Sequence, residues 1–228
     1  MLSSIYLVLS ALIGYLFGAI PVGFLLVKVT KGVDLRIHGS GRTGGTNAFR
    51  AGGVFVGVLT SIFDVLKAAC CVWLVRALFA DQLPIVWLPW AEVASGIMSI
   101  IGHNWSVFLS WKGGAGTAPN VGWAGAEWFP IVPLAIVIVL GVLLTIGIAS
   151  IASLAMSAAI PIAFIILYIA GVEPYDTTLA YIIGGIVGAA IITWSLRPNI
   201  KRLIQGKERI VGPRAKRLRK RDSEITSS

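Results

Sequence analysis

The chain has 228 residues, 57% of them hydrophobic and only 13% charged, with a mean hydropathy of +0.87. A soluble domain carries about 25% charged residues, so this composition excludes a soluble enzyme, a disordered segment and a disulfide-stapled secreted module. About 130 apolar residues suffice for six or seven membrane crossings at roughly 20 residues each. The expected fold is one all-α integral membrane domain.

In chain order, residues 2–27 form an apolar run interrupted only by glycines and Pro21, and residues 28–53 are polar. Val54–Phe79 is apolar apart from Asp64, Lys67 and Arg76; residues 85–101 form a third run containing Glu92. Residues 102–120 are again polar and Gly-rich, and residues 121–129 are too short and too polar for hydropathy alone to assign. Runs of spanning length follow at 131–148, 151–171 and 178–196.

Charge arbitrates the short segment. The connector after the first run carries Lys28, Lys31, Arg36, Arg42 and Arg50, which predicts a cytoplasmic loop and an N-terminus outside. From Arg197 onward eleven Lys/Arg stand against three acids, so eight of the nine net positive charges lie in the last 32 residues. Counting residues 118–129 as a short or half crossing gives a seven-transmembrane-helix bundle and places this C-terminal segment in the cytoplasm. Residues 1–209 then form the membrane domain and 210–228 a basic tail suited to anionic membrane lipid rather than nucleic acid. Gly14-x-x-x-Gly18 and Gly184-x-x-x-Gly188 are predicted helix-packing sites. Asp64 with Lys67, and Glu92 with Arg76, are predicted to lock helices together as ion pairs. Adjacent Cys70 and Cys71 are read as packing residues.

Both polar loops face the cytoplasm in this topology. The first holds Gly39, Ser40, Gly41, Arg42, Gly44, Gly45, Thr46, Asn47 and Arg50, with five glycines between Gly39 and Gly52. Closely spaced glycines let backbone N–H groups turn toward an anion, and guanidiniums grip phosphate through planar forks. Gly39 and Gly44 have Walker A spacing, but Gly45 occupies the Lys position and no strand precedes it, which excludes an ATPase. The second loop runs through His103, Lys112, Gly113, Gly114 and Thr117. For His103, a general base and a helix-end hydrogen-bonding role both remain open. Two histidines and no Cys/His cluster predict no metal. Trp105, Phe108 and Trp111 are predicted to anchor at the membrane interface.

These motifs occur in an order that resembles a known family. Gly39, Ser40, Gly41, then Gly44, Gly45, Thr46, Asn47 and Arg50, resemble the S-G-N-x-G-A-T-N…R motif of the acyl-phosphate-dependent glycerol-3-phosphate acyltransferases, the PlsY family. Asp64 to Lys67 resembles its D-x-x-K-G, and Gly102 to Gly114 is similar to G-H-x-x-P-V-F-x-x-F-K-G-G-K-G. Arg197 to Leu203, followed by Gly206, Lys207 and Glu208, resembles the closing H-R-x-N-I-x-R-L and G-x-E. The resemblance implies a multi-pass enzyme of the bacterial inner membrane with its active site facing the cytoplasm. Such an enzyme moves an acyl group from acyl phosphate to the 1-hydroxyl of glycerol-3-phosphate, releasing lysophosphatidic acid and phosphate without a cofactor.

By matching position, Ser40, Asn47, Arg50 and His103 become catalytic candidates. Gly39, Gly41, Arg42, Gly44, Gly45, Thr46, Lys112, Gly113, Gly114 and Asn199 become substrate-binding candidates. The chain departs from the pattern at Arg42 (Asn in the family), Ala68 (Gly), Ala115 (Lys), Pro119 (Thr), Met156 (Ser) and Leu196 (His). Arg42 and Ala115 together suggest a relocated positive charge. A relative using another phosphorylated acceptor, an inactive relative and an anion transporter are the alternatives.

Overall fold

The structure is a computed structural model and describes residues 2–212, 214 and 215; the remainder of the predicted basic tail lies outside the described residues. Among the described residues all regular structure is helical: α1 (Leu2–Ala19), α2 (Val22–Lys31), α3 (Gly45–Gly52), α4 (Val54–Phe79), α5 (Leu88–Asn104), α6 (Thr117–Glu127), α7 (Ile131–Thr145), α8 (Ala149–Ile169), α9 (Ala180–Ser195) and α10 (Arg197–Ile204). Three helical stretches are long and apolar enough to cross a membrane: Leu2–Lys31, Val54–Phe79 and Ala149–Ile169. A fourth is reached if α9 and α10, bent by 63° at their junction, count together.

The first apolar run is broken where Pro21 stands. Proline has no N–H and cannot continue the ladder, so α1 ends at Ala19 and α2 begins at Val22. Carbonyls released at the break find partners from elsewhere in the chain: Ser106 Oγ donates to Ala19 O (2.6 Å) and Lys67 Nζ donates to Ile20 O (2.9 Å). The break is thus pinned by α4 and by the second polar loop. In an apolar surrounding, freed backbone groups must be satisfied in this way.

The small-residue spacings are packing devices. A Cβ on Gly14 or Gly18 would strike the backbone of Ser95 or Ser99 on α5, so α1 and α5 touch almost backbone to backbone. Gly184 and Gly188 on α9 make room in the same way for Val93, Trp123 and Asn120.

The segment that hydropathy could not assign becomes the interior helix. α6 packs against α4, α5, α7, α8 and α9, and residues 119–125 are all buried. Its 11 residues span about 16 Å, roughly half a hydrocarbon core. Protein rather than lipid surrounds it, and this is why its polarity is tolerated. Asn120 Oδ1 accepts from Trp123 Nε1 (2.8 Å), and the Trp123 ring stacks on Phe164 at 6.0 Å between centroids.

At the end of the bundle opposite the polar loops, Arg76 joins three helices. Its Nε lies 2.5 Å from Glu92 Oε1 and its Nη2 lies 2.6 Å from Glu127 Oε2. Tyr181 donates to Glu92 Oε2 (3.1 Å), adding α9 to the brace. The Arg76–Glu92 pair is the expected one; Glu127 is the addition. Arg76→Met strands two buried carboxylates beside each other. Breaking a fully enclosed pair costs roughly 3–5 kcal/mol, but the Arg76 side chain is 41% exposed, so a loss of about 2 kcal/mol is expected. A lower thermal unfolding midpoint in detergent checks it; an unchanged midpoint contradicts it.

Candidate active site

The long connection between α2 and α4 is not a plain loop. Residues 45–52 fold into α3, so Asn47 and Arg50 sit on a short helix while Gly39 to Gly44 form the turn leading into it. Gly39 and Gly41 adopt φ of +54° and +72°, left-handed conformations that favour glycine. Gly45 meets a different demand. It is helical, and a Cβ there would collide with Ser61 Oγ of α4.

Asn47 organises this turn. Its Nδ2 donates to the carbonyls of Leu35 (3.2 Å), His38 (3.0 Å) and Arg42 (2.8 Å), while Oδ1 accepts from the Ser40 amide (3.1 Å). The amide is only 2% exposed, and both of its polar ends are spent on backbone. Ser40, Thr46 and Arg50 remain exposed, with no side-chain hydrogen bonds among the described residues. The aliphatic stem of Arg50 lies beside Gly39, with its Cδ 3.6 Å from where a Cβ would stand.

Arg42 reaches across the fold. Its guanidinium donates to Ser195 O (2.5 Å), Ser195 Oγ (3.2 Å) and Asn199 Oδ1 (3.2 Å), clamping the first loop to the bend between α9 and α10. Asn199 Nδ2 in turn donates to Glu208 Oε1 (2.8 Å), and Arg202 Nε to Glu208 Oε2 (2.8 Å). Among the described residues Glu208 is the acid that balances Arg42, Arg50 and Arg202. Burial, and then the neighbouring charge of Arg202, pulls the Arg42 pKa below the usual guanidinium value. Arg50 shifts the same way, through partial desolvation and then Arg209. Guanidiniums stay protonated under such shifts. Crowded cations around Glu208 form a field that an anion would relieve.

The second loop meets the first. The Thr43 amide lies 3.4 Å from Gly113 O, a long contact, and the amides of Gly113 and Gly114 bond to the carbonyls of Asn104 (3.1 Å) and His103 (2.9 Å). These two glycines have ordinary φ values. They are needed for closeness, since a Cβ on Gly113 would strike His103 O and one on Gly114 would strike His103 Nε2. Ser110 and Trp111 hold φ of +52° and +64°, strained for side chains of their kind, and reverse the chain just before Lys112. Lys112 is exposed, and Phe108 and Trp111 are each 60% exposed beside it.

His103 lies behind both loops, 6% exposed, with Nδ1 near Lys67 Nζ (3.1 Å) and Asp64 Oδ1 (3.4 Å). The anticipated Asp64–Lys67 pair is present at 2.8 Å, but it joins an unforeseen group of three. His103 is an expected site residue, whereas Ser195, Glu208, Asp64 and Lys67 are not. Their partners stand far away in the chain, Arg42 and Ser195 being 153 residues apart. The Lys112 side chain makes no hydrogen bond among the described residues. Nor do three His, Cys, Asp or Glu side chains gather there as a metal requires.

A model of the family described as glycerol-3-phosphate acyltransferase matches residues 8–206. A glycerol-3-phosphate acyltransferase of Prochlorococcus marinus is 34% identical over 201 residues, 87% of this chain and 95% of its own length. One of Thermosipho melanesiensis is 35% identical over 201 residues, 88% and 90% of the two chains. A crystal structure of PlsY, an integral membrane glycerol 3-phosphate acyltransferase in its glycerol 3-phosphate form, superposes with a TM-score of 0.74 at 32% identity, covering 90% of this chain and 96% of that one. A lysophosphatidic acid form of that enzyme superposes equally well, at 30% identity. With its long apolar helices, this chain is a multi-pass membrane protein, and it belongs to the glycerol-3-phosphate acyltransferase family of phospholipid synthesis.

Proposed function

We propose that this enzyme transfers an acyl group from acyl phosphate to the 1-hydroxyl of glycerol-3-phosphate, giving lysophosphatidic acid and inorganic phosphate. The observation that carries this reading is the meeting of the two glycine-lined loops at Thr43 and Gly113, with Arg42, Arg50 and Lys112 around them. Two reactants that each bear a phosphate need two anion-binding elements side by side. The crystal forms of PlsY, one with glycerol 3-phosphate and one with lysophosphatidic acid, support the same acceptor and product here.

Arg50, Ser40 and Thr46 offer donors to the acceptor phosphate. Lys112 and the Gly113–Gly114 backbone border the donor phosphate. Arg42 and Asn199 fix the wall between the first loop and the α9–α10 bend. Gly39, Gly41, Gly44 and Gly45 let the chain approach closely, and Asn47 holds the turn in shape. The acceptor's hydroxyl oxygen attacks the acyl carbonyl, the C–O bond to phosphate breaks, and the departing phosphate takes the hydroxyl proton. Positioning and neutralisation of developing oxyanion charge carry the rate, with no cofactor.

We further infer seven crossings in the bacterial inner membrane, with the N-terminus outside and the site at the cytoplasmic face. The shorter helices α5, α6 and α7 complete the bundle, and the polar side chains Glu92, Ser95 and Ser99 of α5 and Asn120 of α6 are buried in protein. At the start of the tail, the Val211 amide bonds Gly147 O (2.7 Å) and the Arg214 guanidinium bonds Ile146 O (2.9 Å), which anchors it at the turn between α7 and α8. Beyond that anchor the tail's cations suit anionic lipid.

Purified enzyme in lipid nanodiscs, given labelled glycerol-3-phosphate, should form lysophosphatidic acid with acyl phosphate. Turnover with acyl thioester alone would overturn the choice of donor. Arg42→Asn, which unclamps the loop from Ser195, should weaken glycerol-3-phosphate binding about tenfold, the scale of one charge-assisted hydrogen bond; unchanged affinity contradicts the role given to Arg42. In intact cells, a cysteine placed at Gln82 should react with a membrane-impermeant thiol reagent and one at Lys31 should not. The reverse pattern overturns the orientation.

A further inference from the structure

The group of Asp64, Lys67 and His103 is more closely specified than an ion pair between helices requires. Lys67 Nζ has three neighbours: Ile20 O at 2.9 Å, Asp64 Oδ1 at 2.8 Å and His103 Nδ1 at 3.1 Å. An ammonium carries three hydrogens and no lone pair. Toward an ammonium Ile20 O and His103 Nδ1 can only accept, so Nδ1 is the bare nitrogen, while Asp64 balances the charge as an ion pair. The opposite tautomer would place a proton on Nδ1 facing Asp64 Oδ1 at 3.4 Å and leave Nε2 as a base. That proton would also confront the nearer ammonium, with which it can share no bond. The single imidazole proton accordingly belongs on Nε2.

The other side of the ring faces the seam of the two loops. Nε2 lies 2.0 Å from where a Cβ on Gly114 would stand, and 3.9 Å from where one on Gly44 would stand. Nε2 has no protein hydrogen-bond partner among the described residues, yet it is not among the fully enclosed unpartnered atoms. It is an open N–H at the junction of the anion-binding elements. The charges facing the ring are Asp64 and Lys67 from α4 and Arg42 from the first loop.

We propose that His103 is held as the neutral Nε2–H tautomer and gives this N–H to an anionic oxygen of a phosphorylated reactant at the loop seam. Lys67 is the positioning residue that fixes the proton. The inference rests on the acyltransferase reading for the identity of the reactant, but not for the placement of the proton. It assigns His103 a donor's task and removes it as general base.

Full-length enzyme with ¹⁵N-labelled histidine, in lipid nanodiscs, reports both ring nitrogens directly. The chain has two histidines, so a His38→Asn variant identifies the His103 signals. The expected spectrum shows a bare Nδ1 and a protonated Nε2, unchanged through the pH range in which a free imidazole titrates. A protonated Nδ1, or an imidazolium, overturns the proposal. Addition of glycerol-3-phosphate, or of an unreactive acylphosphonate, should shift Nε2 more than Nδ1, and the more effective probe names the reactant bound. If neither shifts it, the contact is refuted. In the kinetic arm, His103→Leu should lower kcat/KM roughly 10- to 100-fold, and His103→Gln, which restores an N–H, should recover part of that loss. Equal losses in both variants overturn the donor role. Wild-type enzyme that is inactive with every acyl donor would instead overturn the acyltransferase reading, with the tautomer still measured independently.

Discussion

A buried ammonium is the constraint on which the arrangement of the site depends. Lys67 projects from the middle of α4 with its side chain 6% exposed, and a charge so placed must be surrounded by acceptors. It takes one from each of three elements: the carbonyl at the Pro21 break, the carboxylate of Asp64 on its own helix, and the imidazole at the end of α5. Satisfying one cation therefore ties the break at Pro21, α4 and the end of α5 together and orients the ring of His103. Both polar loops hang from these three points.

A second charge cluster works at the other end of the bundle, where Arg76 gathers Glu92 and Glu127 and Tyr181 completes the brace. Between the two clusters the helices are joined by closeness rather than charge. Gly14 and Gly18 bring α1 onto α5, and Trp123 of the interior helix α6 fills the centre against Phe164. Lipid offers no hydrophobic drive for helix association. Small residues and buried ion pairs are therefore the means left to define which helices meet, and both are used here.

The chemistry of the site follows from economy of side chains. Asn47 spends its whole amide on shaping the turn, and Arg42 spends its guanidinium on the α9–α10 bend. Ser40, Thr46, Arg50 and Lys112 stay exposed beside that rigid frame. A frame whose donors are already oriented needs little reorganisation when charge develops. Such a site suits a reaction in which the reactants carry their own leaving group and proton acceptor.

Local chemistry was legible in the linear chain: the apolar runs, the helix-packing glycines, the Arg76–Glu92 and Asp64–Lys67 pairs, and two glycine-rich loops that carry cations. These depend on residue type and short spacing, so they can be read one segment at a time. Three features could not be. Residues 45–52 form a helix that has no apolar run to announce it. Residues 117–127 are interior because neighbouring helices, not lipid, surround them. Glycines that looked like a nest of amides include Gly45, Gly113 and Gly114, whose purpose is to let Ser61 and His103 come close.

The sequence by itself determined that this chain is a helical membrane protein with two glycine-rich segments that carry cations, because hydropathy and residue type are properties of each segment alone. The tertiary structure decided that Arg42 meets Ser195 and Asn199, that Glu208 balances the arginines, and that His103 turns its Nε2 toward both loops. Those contacts join residues separated by much of the chain, and such residues acquire their roles only when buried charges and freed carbonyls have found one another.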